Sequence, residues 1–431
     1  MNIAFVGHGY VGLVTACIFA DFGNKVWVIG HTPKKIERLK SGDPIIYEPG
    51  LKELLEKNLK AKRLHFTLDY KEAVEDSDII FITVGTPPKD NGEADLSSVF
   101  KVAEDIGKYL KKGYTVVSCK STVPVGTNKK VEAILLRTKP DHADVSVASC
   151  PEFLREGTGL QDTLHPDRIV IGSESTEAVE KLLALHKPLS GQRIVTDLAS
   201  AELIKYTSNA MLATKISFAN LISFYCEETG ADVETVLDAV GMDKRIGRIF
   251  LYPGVGYGGS CLPKDVKALL NTGKHAGIDV SFLESVEAVN VQSRKNLLHK
   301  ITKHAKGKNI AIWGLSFKPD TDDIRFAPSL YVIEALLEKG YIVKAYDQVA
   351  EDNMKKTFPD VTYCKDPYEA AKDADCLVIL TEWNEFKQIN LDHLKEIMKT
   401  PMIIDGRNIY SMETMKKNGF EYISTGRQTV R

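Results

Sequence analysis

The N-terminal half of the chain alternates between short apolar runs and longer amphipathic stretches. Residues 1–6 form an apolar run that ends in glycines, and residues 13–22 show the spacing of a helix. Further apolar runs lie at 25–30, 78–85, 114–121 and 144–150. Short apolar runs bounded by turn residues are typical of buried strands, and strands that alternate with helices predict a parallel sheet covered on both faces.

The pattern changes at residue 198. Residues 198–229 contain neither Gly nor Pro, and their apolar positions recur at helical spacing. The segment therefore predicts one long helix, on the order of 45 Å at the usual rise per residue. Two of its faces are apolar, so it can join two domains and also offer a surface to a second copy of the chain.

Past residue 305 the alternation of apolar runs and helical stretches returns. The runs lie at 308–317, 341–347, 374–380 and 402–406. We therefore predict an α/β fold: two Rossmann-like parallel-sheet domains joined by a central helical domain with a long helix. The predicted domain boundaries are 1–199, 200–299 and 300–431.

Composition narrows the class of protein. The chain has 431 residues and a formal net charge of −2, which gives no electrostatic reason to bind nucleic acid or an anionic membrane. It contains no apolar run of bilayer-spanning length, and its first residues lack the features of a signal peptide. Its seven cysteines are odd in number and form no CxxC pair, so we predict reduced thiols in the cytoplasm and no metal site.

The first chemical motif is "VGHGYVG", which places Gly7, Gly9 and Gly12 between the first strand and the first helix. In this pattern the first glycine permits a tight turn, the second lets the backbone approach a pyrophosphate, and the third lets helix pack on strand. The phosphates then lie at the positive end of the helix. The motif predicts a dinucleotide site.

The second strand departs from the usual dinucleotide pattern. It should end in an acid that binds the adenosine ribose, but Gly30 stands there, followed by His31, Thr32, Lys34 and Lys35. In the interpretation that we favour, the two lysines are solvated residues at the start of a helix, and NAD binds more weakly because the acid is missing. In the other interpretation, the lysines attract the 2′-phosphate of NADP. We predict that NAD is used with a high KM, that NADP is also accepted, and that Gly30→Asp tightens NAD and suppresses NADP.

The second motif is "GYGGSCLPKD" at residues 256–265. A thiol attacks only as thiolate, and the backbone N–H groups of a Gly-rich turn, a helix start and Lys264 all favour the anion at Cys261. Asp265 can take a proton from a water or a bound intermediate. A dinucleotide fold with a nucleophilic cysteine indicates two oxidations: an alcohol becomes an aldehyde, the thiolate captures it, and a thioester is then hydrolysed to an acid.

Several long motifs, in order, resemble those of the nucleotide-sugar 6-dehydrogenases, the UDP-glucose/GDP-mannose dehydrogenase family. They are "GHGYVGLVTACIFADFGNKV", "STVPVGT", "CPEFLREGTGLQDTLHPDRIVIG", "AELIKYTSNAMLATKISFAN", "GYGGSCLPKD" and "GLSFKPDTDDIRFAPS". The resemblance implies NAD-dependent oxidation of UDP-glucose to UDP-glucuronate, with two hydrides passed to two successive NAD molecules. It also implies a UDP-sugar-binding C-terminal domain, a dimerising central domain and a homodimer or higher homo-oligomer.

The resemblance implies roles residue by residue. The implied catalytic residues are Cys261 as nucleophile, Lys205 and Asn209 for the sugar and the oxyanion, Thr122 and Glu152 for a water or proton path, and Asp265 beside the nucleophile. The implied cofactor residues are Gly7, Gly9, Tyr10, Val11, Gly12, Lys35, Thr86, Thr122, Glu156, Lys264 and Arg325. The implied substrate residues are Glu152, Phe153, Leu154, Lys205, Asn209, Arg245, Tyr257, Gly258, Phe317, Lys318 and Arg407, the last reaching a neighbouring subunit.

Three alternatives stay open. The same chemistry on UDP-galactose, a UDP-N-acetylhexosamine or GDP-mannose depends on single residues of the sugar pocket. A non-catalytic nucleotide-sugar sensor would keep the fold, although Cys261, Lys205 and Asn209 are all present. A β-hydroxyacid dehydrogenase would stop after one hydride. The number of NADH formed per substrate separates these classes.

Overall fold

The structure, a computed structural model, describes residues 1–430. The chain forms two compact units. The N-terminal unit comprises Met1–Ser208 and Lys267–Thr272, and the C-terminal unit comprises Asn209–Val266 and the chain from Gly273 onward. Each unit contains one sheet, as the two predicted stretches of apolar runs require. The division into three functional domains stays a prediction.

The sheet of the N-terminal unit has eight strands in the order β3-β2-β1-β4-β5-β6-β7-β8. The strands are β1 (Asn2–Val6), β2 (Lys25–Ile29), β3 (Leu64–Thr67), β4 (Ile79–Ile82), β5 (Gly113–Cys119), β6 (Ala143–Ser149), β7 (Arg168–Gly172) and β8 (Gln192–Thr196). All neighbours pair in parallel except β6 and β7, which meet antiparallel at Ser149 and Gly172. The predicted parallel sheet is therefore confirmed, with one antiparallel pair that the sequence did not indicate.

Helices cover both faces of this sheet. They are α1 (Tyr10–Asp21), α2 (Pro33–Lys40), α3 (Leu51–Lys60), α4 (Tyr70–Asp76), α5 (Ser97–Lys108), α6 (Thr127–Thr138), α7 (Gly159–Leu164) and α8 (Thr176–Leu185). Strand β1 explains why: Ile3 and Phe5 pack into one core, and Ala4 and Val6 into the other. Successive side chains of a strand point to opposite faces, so a continuous apolar run demands cover on both.

The sheet of the C-terminal unit has six parallel strands in the order β11-β10-β9-β12-β13-β14. They are β9 (Asn309–Trp313), β10 (Ile342–Tyr346), β11 (Thr362–Tyr363), β12 (Cys376–Ile379), β13 (Met402–Asp405) and β14 (Glu421–Ser424). In β9, Ile310 and Ile312 enter one core while Ala311 and Trp313 enter the other. The predicted second α/β region is confirmed.

The remaining helices include the long one that the sequence predicts. They are α9 (Leu198–Thr229), α10 (Val233–Gly241), α11 (Leu262–His275), α12 (Ser281–His304), α13 (Pro328–Glu338), α14 (Glu351–Lys355), α15 (Pro367–Ala371), α16 (Asn384–Lys387), α17 (Leu391–Ile397) and α18 (Met412–Lys417). Helix α9 runs for 32 residues without a break. Within residues 1–430, no helix combines the length and the apolar composition that crossing a bilayer requires.

Candidate active site

The turn between β1 and α1 has the geometry of a dinucleotide site. Gly7 has φ +125°, and a Cβ on Gly12 would lie 2.1 Å from the carbonyl oxygen of Gly7. A Cβ on Gly9 would meet no protein atom within 4 Å, so this side of the turn is open. Gly9 is also the N-cap of α1 and adds no side-chain cap, which leaves the first N–H groups of the helix to a ligand. The turn therefore fits the pyrophosphate of NAD.

We expect two alanine substitutions in this turn to have opposite consequences. Gly12→Ala forces a Cβ onto a backbone oxygen, so its melting temperature should fall, by an amount equivalent to about 1–3 kcal/mol. Gly9→Ala should keep the wild-type melting temperature but weaken NAD, because its methyl group occupies the space of the pyrophosphate. Thermal unfolding and an NAD fluorescence titration measure both. Equal behaviour of the two variants would contradict this assignment.

The end of β2 is more crowded than the sequence suggests. A Cβ on Gly30 would lie 2.4 Å from Cδ1 of Ile36 and 3.0 Å from Nδ1 of His8. An acid can be introduced there only if the Ile36 side chain moves. The expectation that Gly30→Asp simply tightens NAD therefore omits a steric cost, and we no longer expect the single substitution to report cofactor preference.

The loop after β6 is anchored to the dinucleotide turn. The N–H of Gly157 donates to the Tyr10 hydroxyl at 2.6 Å and to a Glu48 oxygen at 2.7 Å, and the N–H of Leu160 donates to the other Glu48 oxygen. Glu48 is buried. This holds the segment that contains Glu156 beside Tyr10. The role of Glu48 was missed, although "IYEPGL" at residues 46–51 is the signal that could have found it.

The ends of β4 and β5 meet through two predicted cofactor residues. The Thr86 hydroxyl donates to the carbonyl of Thr122 at 2.9 Å, and Thr86 is buried. Both follow strands at the carboxyl edge of the sheet, where open α/β sheets bind their ligands. Among the other predicted cofactor residues, Lys35 is exposed and Val11 is half-buried.

Lys205 and Glu152 form a buried ion pair in the N-terminal unit. The Lys205 ammonium lies 3.0 Å from the Glu152 carboxylate, and the two side chains are only 5% and 9% exposed. The other carboxylate oxygen accepts from the N–H of Leu154 at 2.7 Å. Lys205 also lies 5.4 Å from the Phe153 ring centre. Lys205 thus meets the predicted site residues 152–154, from which it is distant in the sequence.

Two neighbours of this pair were missed by sequence reasoning. Arg168 stacks on the Phe153 ring at 3.9 Å and donates to the Ser208 hydroxyl. Glu202, buried one turn before Lys205 on α9, accepts from the N–H groups of Gly126 and Asn128 at the start of α6. Burial raises the pKa of Glu202. Glu202 therefore attaches α9 to the segment that follows Thr122.

The glycines before Cys261 are required by close packing within the C-terminal unit. Gly256 and Gly259 have positive φ, and a Cβ on Gly258 would lie 2.3 Å from the Phe326 carbonyl. A Cβ on Gly259 would meet the Phe317 ring at 2.7 Å, and its N–H donates to the Arg325 carbonyl. The turn is therefore pressed against the loop after β9, which carries predicted substrate and cofactor residues.

Asp265 is the centre of a polar cluster in the same unit. The Asn209 amide donates to one Asp265 oxygen at 2.5 Å, and the Lys264 ammonium contacts the other at 2.5 Å. Asp265 is 1% exposed, so both contacts take place away from water. Lys264 thus lies beside a buried carboxylate that the resemblance assigns to catalysis. Its predicted cofactor contact stays a prediction.

Cys261 lies at the N-terminal end of α11. Its carbonyl accepts from the N–H of Asp265 at 2.9 Å, which begins the helix, and its side chain is exposed. The Ser260 hydroxyl lies 3.6 Å from Sγ. The positive end of a helix favours a thiolate, and exposure gives a substrate access to it.

The other six cysteines are buried. Burial raises the pKa of Cys17 and Cys119 to about 12, as expected for space-filling thiols. Cys150 differs: burial alone would raise its pKa, but the Lys120 ammonium and His186 outweigh it and bring the pKa to about 7. Cys150 is therefore buried like the others but, unlike Cys17 and Cys119, has a lowered pKa.

We expect alkylation to distinguish Cys261 from Cys150. Limited iodoacetamide at neutral pH should label Cys261 and leave Cys150 intact, because alkylation requires access as well as a thiolate. Peptide mass spectrometry after timed quenching measures both sites in one sample. Unfolding the protein in denaturant first is the control, since both thiols should then react. Comparable labelling in the folded protein would contradict the burial of Cys150.

The remaining predicted substrate residues differ in burial and in their contacts. Tyr257 is buried, its hydroxyl donates to Glu287, and these contacts raise its pKa. Arg407 donates to the carbonyls of Phe317 and Gly256 within its own chain. Lys318 lies 5.8 Å from the Phe317 ring centre. Arg245 is 89% exposed and bound to Asp243, so it is not gathered with the others.

Sequence models of the UDP-glucose/GDP-mannose dehydrogenase family match most of the chain. Its NAD binding domain matches residues 1–190, its central domain 199–292 and its UDP binding domain 311–412. UDP-glucose 6-dehydrogenase TuaD of Bacillus subtilis is 47% identical, over 100% of this chain and 94% of that protein. UDP-glucose 6-dehydrogenase of Rhizobium meliloti is 46% identical, over 99% and 100%.

Solved structures agree with the sequence matches. A UDP-glucose dehydrogenase from Pyrobaculum islandicum superimposes with a TM-score of 0.91 at 36% identity, covering 98% of this chain and 96% of that chain. A UDP-D-ManNAc dehydrogenase from Pyrococcus horikoshii gives a TM-score of 0.86 at 28% identity, covering 99% of each chain.

Proposed function

Because the chain belongs to the UDP-glucose/GDP-mannose dehydrogenase family, we propose that it oxidises the C6 alcohol of UDP-glucose to the carboxylate of UDP-glucuronate by way of Cys261. It is an NAD-dependent oxidoreductase. The observation that carries the mechanism is the Cys261 thiol, which is exposed at the start of a helix in a chain that also has a dinucleotide turn. A simple alcohol dehydrogenase would not need this thiol.

Gly7, Gly9 and Gly12 would hold NAD at the turn, and NAD would supply the hydride acceptor, one molecule for each of the two oxidations. The Cys261 thiolate adds to the aldehyde carbon, which forms a C–S bond and places the negative charge on the carbonyl oxygen. The second oxidation leaves a thioester, and a water then displaces Cys261 and adds its oxygen to the acid. The exposed position of Sγ supports this role, since the substrate must reach it.

Polar side chains on α9 support the steps in which negative charge develops on the substrate oxygen. Lys205 and Asn209, one helical turn apart, supply a cation and an amide for the oxyanion. Asp265, which holds Asn209, is placed to orient that amide. Glu152 neutralises Lys205 between turnovers and, with Thr122, can hold the water or carry its proton. The buried setting supports these roles because electrostatic interactions strengthen away from water.

One assay tests the proposal. The enzyme is incubated with NAD and UDP-glucose, UDP-galactose, UDP-N-acetylglucosamine, UDP-N-acetylgalactosamine or GDP-mannose, and NADH formed is counted per sugar consumed. We expect the highest kcat/KM with UDP-glucose and two NADH per molecule. One NADH would indicate a single oxidation, and none with any sugar would indicate a sensor. A preference for another sugar would correct the substrate and keep the reaction.

We also propose a homodimer or higher oligomer in the cytoplasm, with residues 200–299 as the dimer domain and residues 300–431 as the UDP-sugar domain. The C-terminal part of α9 supports the first point. Met211, Phe218, Leu221 and Tyr225 are 38–62% exposed on its surface at helical spacing. A contiguous exposed apolar face of this kind marks an interaction site.

A charged side chain on this face is expected to lower the number of chains in the oligomer. Phe218→Glu should shift the protein to a smaller species in light scattering at micromolar concentration, because a carboxylate is costly to bury in an apolar interface. Ile342→Glu, at an exposed isoleucine on β10, is the matched control and should leave the mass unchanged. An unchanged mass for both variants would place the interface elsewhere.

A further inference from the structure

Helix α12 carries an amide side chain among its buried positions. These positions are Val286, Asn290, Ser293, Leu297 and Ile301. The Ser293 hydroxyl donates to a carbonyl of its own helix, whereas the oxygen and the NH₂ group of an asparagine need partners on another segment. Asn290 is only 3% exposed, so bulk water does not supply them. A buried amide is costly unless it is paired, and its partner is therefore informative.

Asn290 pairs with the backbone of Tyr257, in the turn that precedes Cys261. The Tyr257 N–H donates to Oδ1 of Asn290 at 2.8 Å, and Nδ2 of Asn290 donates to the Tyr257 carbonyl at 3.2 Å. One side chain thus binds both backbone groups of one residue. The chain at 251–260 lies outside the helices and strands, so side chains must supply hydrogen bonds that a sheet would otherwise give.

We propose that Asn290 is a positioning residue for the Cys261 nucleophile: it holds the glycine-rich turn in the conformation that presents the thiol to the substrate. The proposal rests on the proposed function, in which Cys261 forms the covalent intermediate. Asn290 acts through the Tyr257 backbone, four residues before the nucleophile, and takes no part in bond making. Placement matters because an error of about 1 Å at the reacting atoms can cost on the order of a hundredfold in rate.

Two further residues of α12 contact the same tyrosine. Arg294, one turn after Asn290, donates to the Tyr257 carbonyl at 2.8 Å. Glu287, one turn before Asn290, accepts from the Tyr257 hydroxyl. Three residues on one face of a helix therefore bind both the backbone and the side chain of Tyr257. A helix holds its side chains more precisely than a loop does, so α12 is a suitable support for the turn.

The turn needs this support because its glycines give the backbone freedom. Gly256 and Gly259 have positive φ, and a Cβ on Gly256 would lie 2.4 Å from Oδ1 of Asn290. Glycine therefore lets the amide approach the backbone, but glycine also has the most conformational freedom to lose. The N–H of Gly259 donates to the Arg325 carbonyl at 2.9 Å, which is a second attachment. Without Asn290, the buried Tyr257 N–H loses its acceptor and regains one only if the turn changes conformation.

Hydrogen exchange of the full chain measures the attachment without substrate or cofactor. Asn290→Leu keeps the approximate size of the side chain and removes both hydrogen bonds. We expect the peptide that covers 251–261 to exchange at least about tenfold faster in this variant, because local opening frees its N–H groups, while peptides of β9 and β12 keep wild-type rates. Gln292→Leu is the matched control, because it removes an exposed amide of the same helix that bonds to Asn296. Unchanged exchange at 251–261, or equal acceleration throughout the protein, overturns the proposal.

The two oxidations report the effect on catalysis. Stopped-flow absorbance with saturating UDP-glucose and NAD resolves the first NADH of a turnover from the second. The first hydride transfer does not require the nucleophile, so Asn290→Leu should form the first NADH at close to the wild-type rate and the second about tenfold to a hundredfold more slowly. Gln292→Leu should keep both rates.

A loss of folded protein would lower both signals and leave the ratio of the two rates unchanged, and that result overturns the positioning role. If Asn290→Leu does not fold, Asn290→Ala, which adds no bulk, replaces it in both experiments. A wild-type enzyme that forms no NADH from UDP-glucose would contradict the proposed function, whereas the exchange result tests the attachment of the turn independently of turnover.

Discussion

Cys261→Ser is expected to lower steady-state acid formation by at least about a thousandfold, the scale found when a covalent nucleophile is removed. The serine hydroxyl stays protonated at neutral pH, whereas a cysteine thiol reacts as thiolate, the form that the positive end of a helix favours. The first oxidation does not require the nucleophile, so a single burst of NADH with trapped or released aldehyde remains allowed. Stopped-flow absorbance at the NADH band measures burst and steady state together.

The covalent intermediate gives an independent measurement. Wild-type enzyme quenched in acid during turnover should carry the sugar nucleotide on the Cys261 peptide in mass spectrometry. Cys226→Ser, a buried cysteine of the same unit, is the matched control and should keep both turnover and the adduct at Cys261. A Cys261→Ser variant with near wild-type turnover would exclude the covalent mechanism and leave the family membership intact.

Lys205→Ala is expected to lower kcat by about a hundredfold or more and to change KM far less. The ammonium stabilises charge that appears only when the thiolate has added to the aldehyde, so its loss affects the transition state more than the bound substrate. Steady-state kinetics over a range of UDP-glucose concentrations separates the two. A rise of KM alone would instead make Lys205 a ground-state contact.

Lys205→Ala is also expected to lower the stability of the protein. Lys205 is the buried partner of Glu152, and removing one member of such a pair typically costs about 3–5 kcal/mol because the other charge is left unpaired. Lys205→Ala should therefore also melt at a lower temperature. The double variant Lys205→Met with Glu152→Gln removes both charges and should regain stability without regaining rate. Recovery of rate in the double variant would contradict a direct role of the ammonium.

The structure confirms nine of the fourteen strands, and β3, β7, β8, β11 and β14 were missed. β3, β7 and β14 are buried segments of four or five residues whose apolar runs were passed over. β8 was missed because its residues are mostly exposed, so it has no apolar run to detect. It is a strand because Ile169 and Val170 of β7 pair with Arg193 and Ile194. β11 is two residues long and depends likewise on its neighbour β10. Edge strands are defined by their partners, and a single segment does not contain that information.

Some residues of the candidate site were found from local motifs, and others only from the structure. Cys261, the glycine turn at Gly7–Gly12 and the missing acid at Gly30 were all found from short local motifs. The contacts of Lys205 with Glu152, and of Asn209 with Asp265, were expected only as shared roles that the family resemblance implied. Glu48 and Glu202 were not found. A lone glutamate such as Glu202 gives no local signal of its partners, whereas Glu48 lies in the motif "IYEPGL", which could have indicated it.

The sequence by itself determined the features that depend on neighbours along the chain. The spacing of apolar residues along the chain predicted two α/β regions and the long α9. Glycines at positions where no side chain fits indicated the turns before α1 and α11. Tertiary structure alone decided which side chains meet: that Lys205 is buried against Glu152, that Asp265 holds Asn209, and that Ile36 fills the space above Gly30. The physical reason is that side chains distant in sequence are brought together by the packing of whole elements, whereas helices, strands and turns follow from local sterics and the pattern of apolar burial.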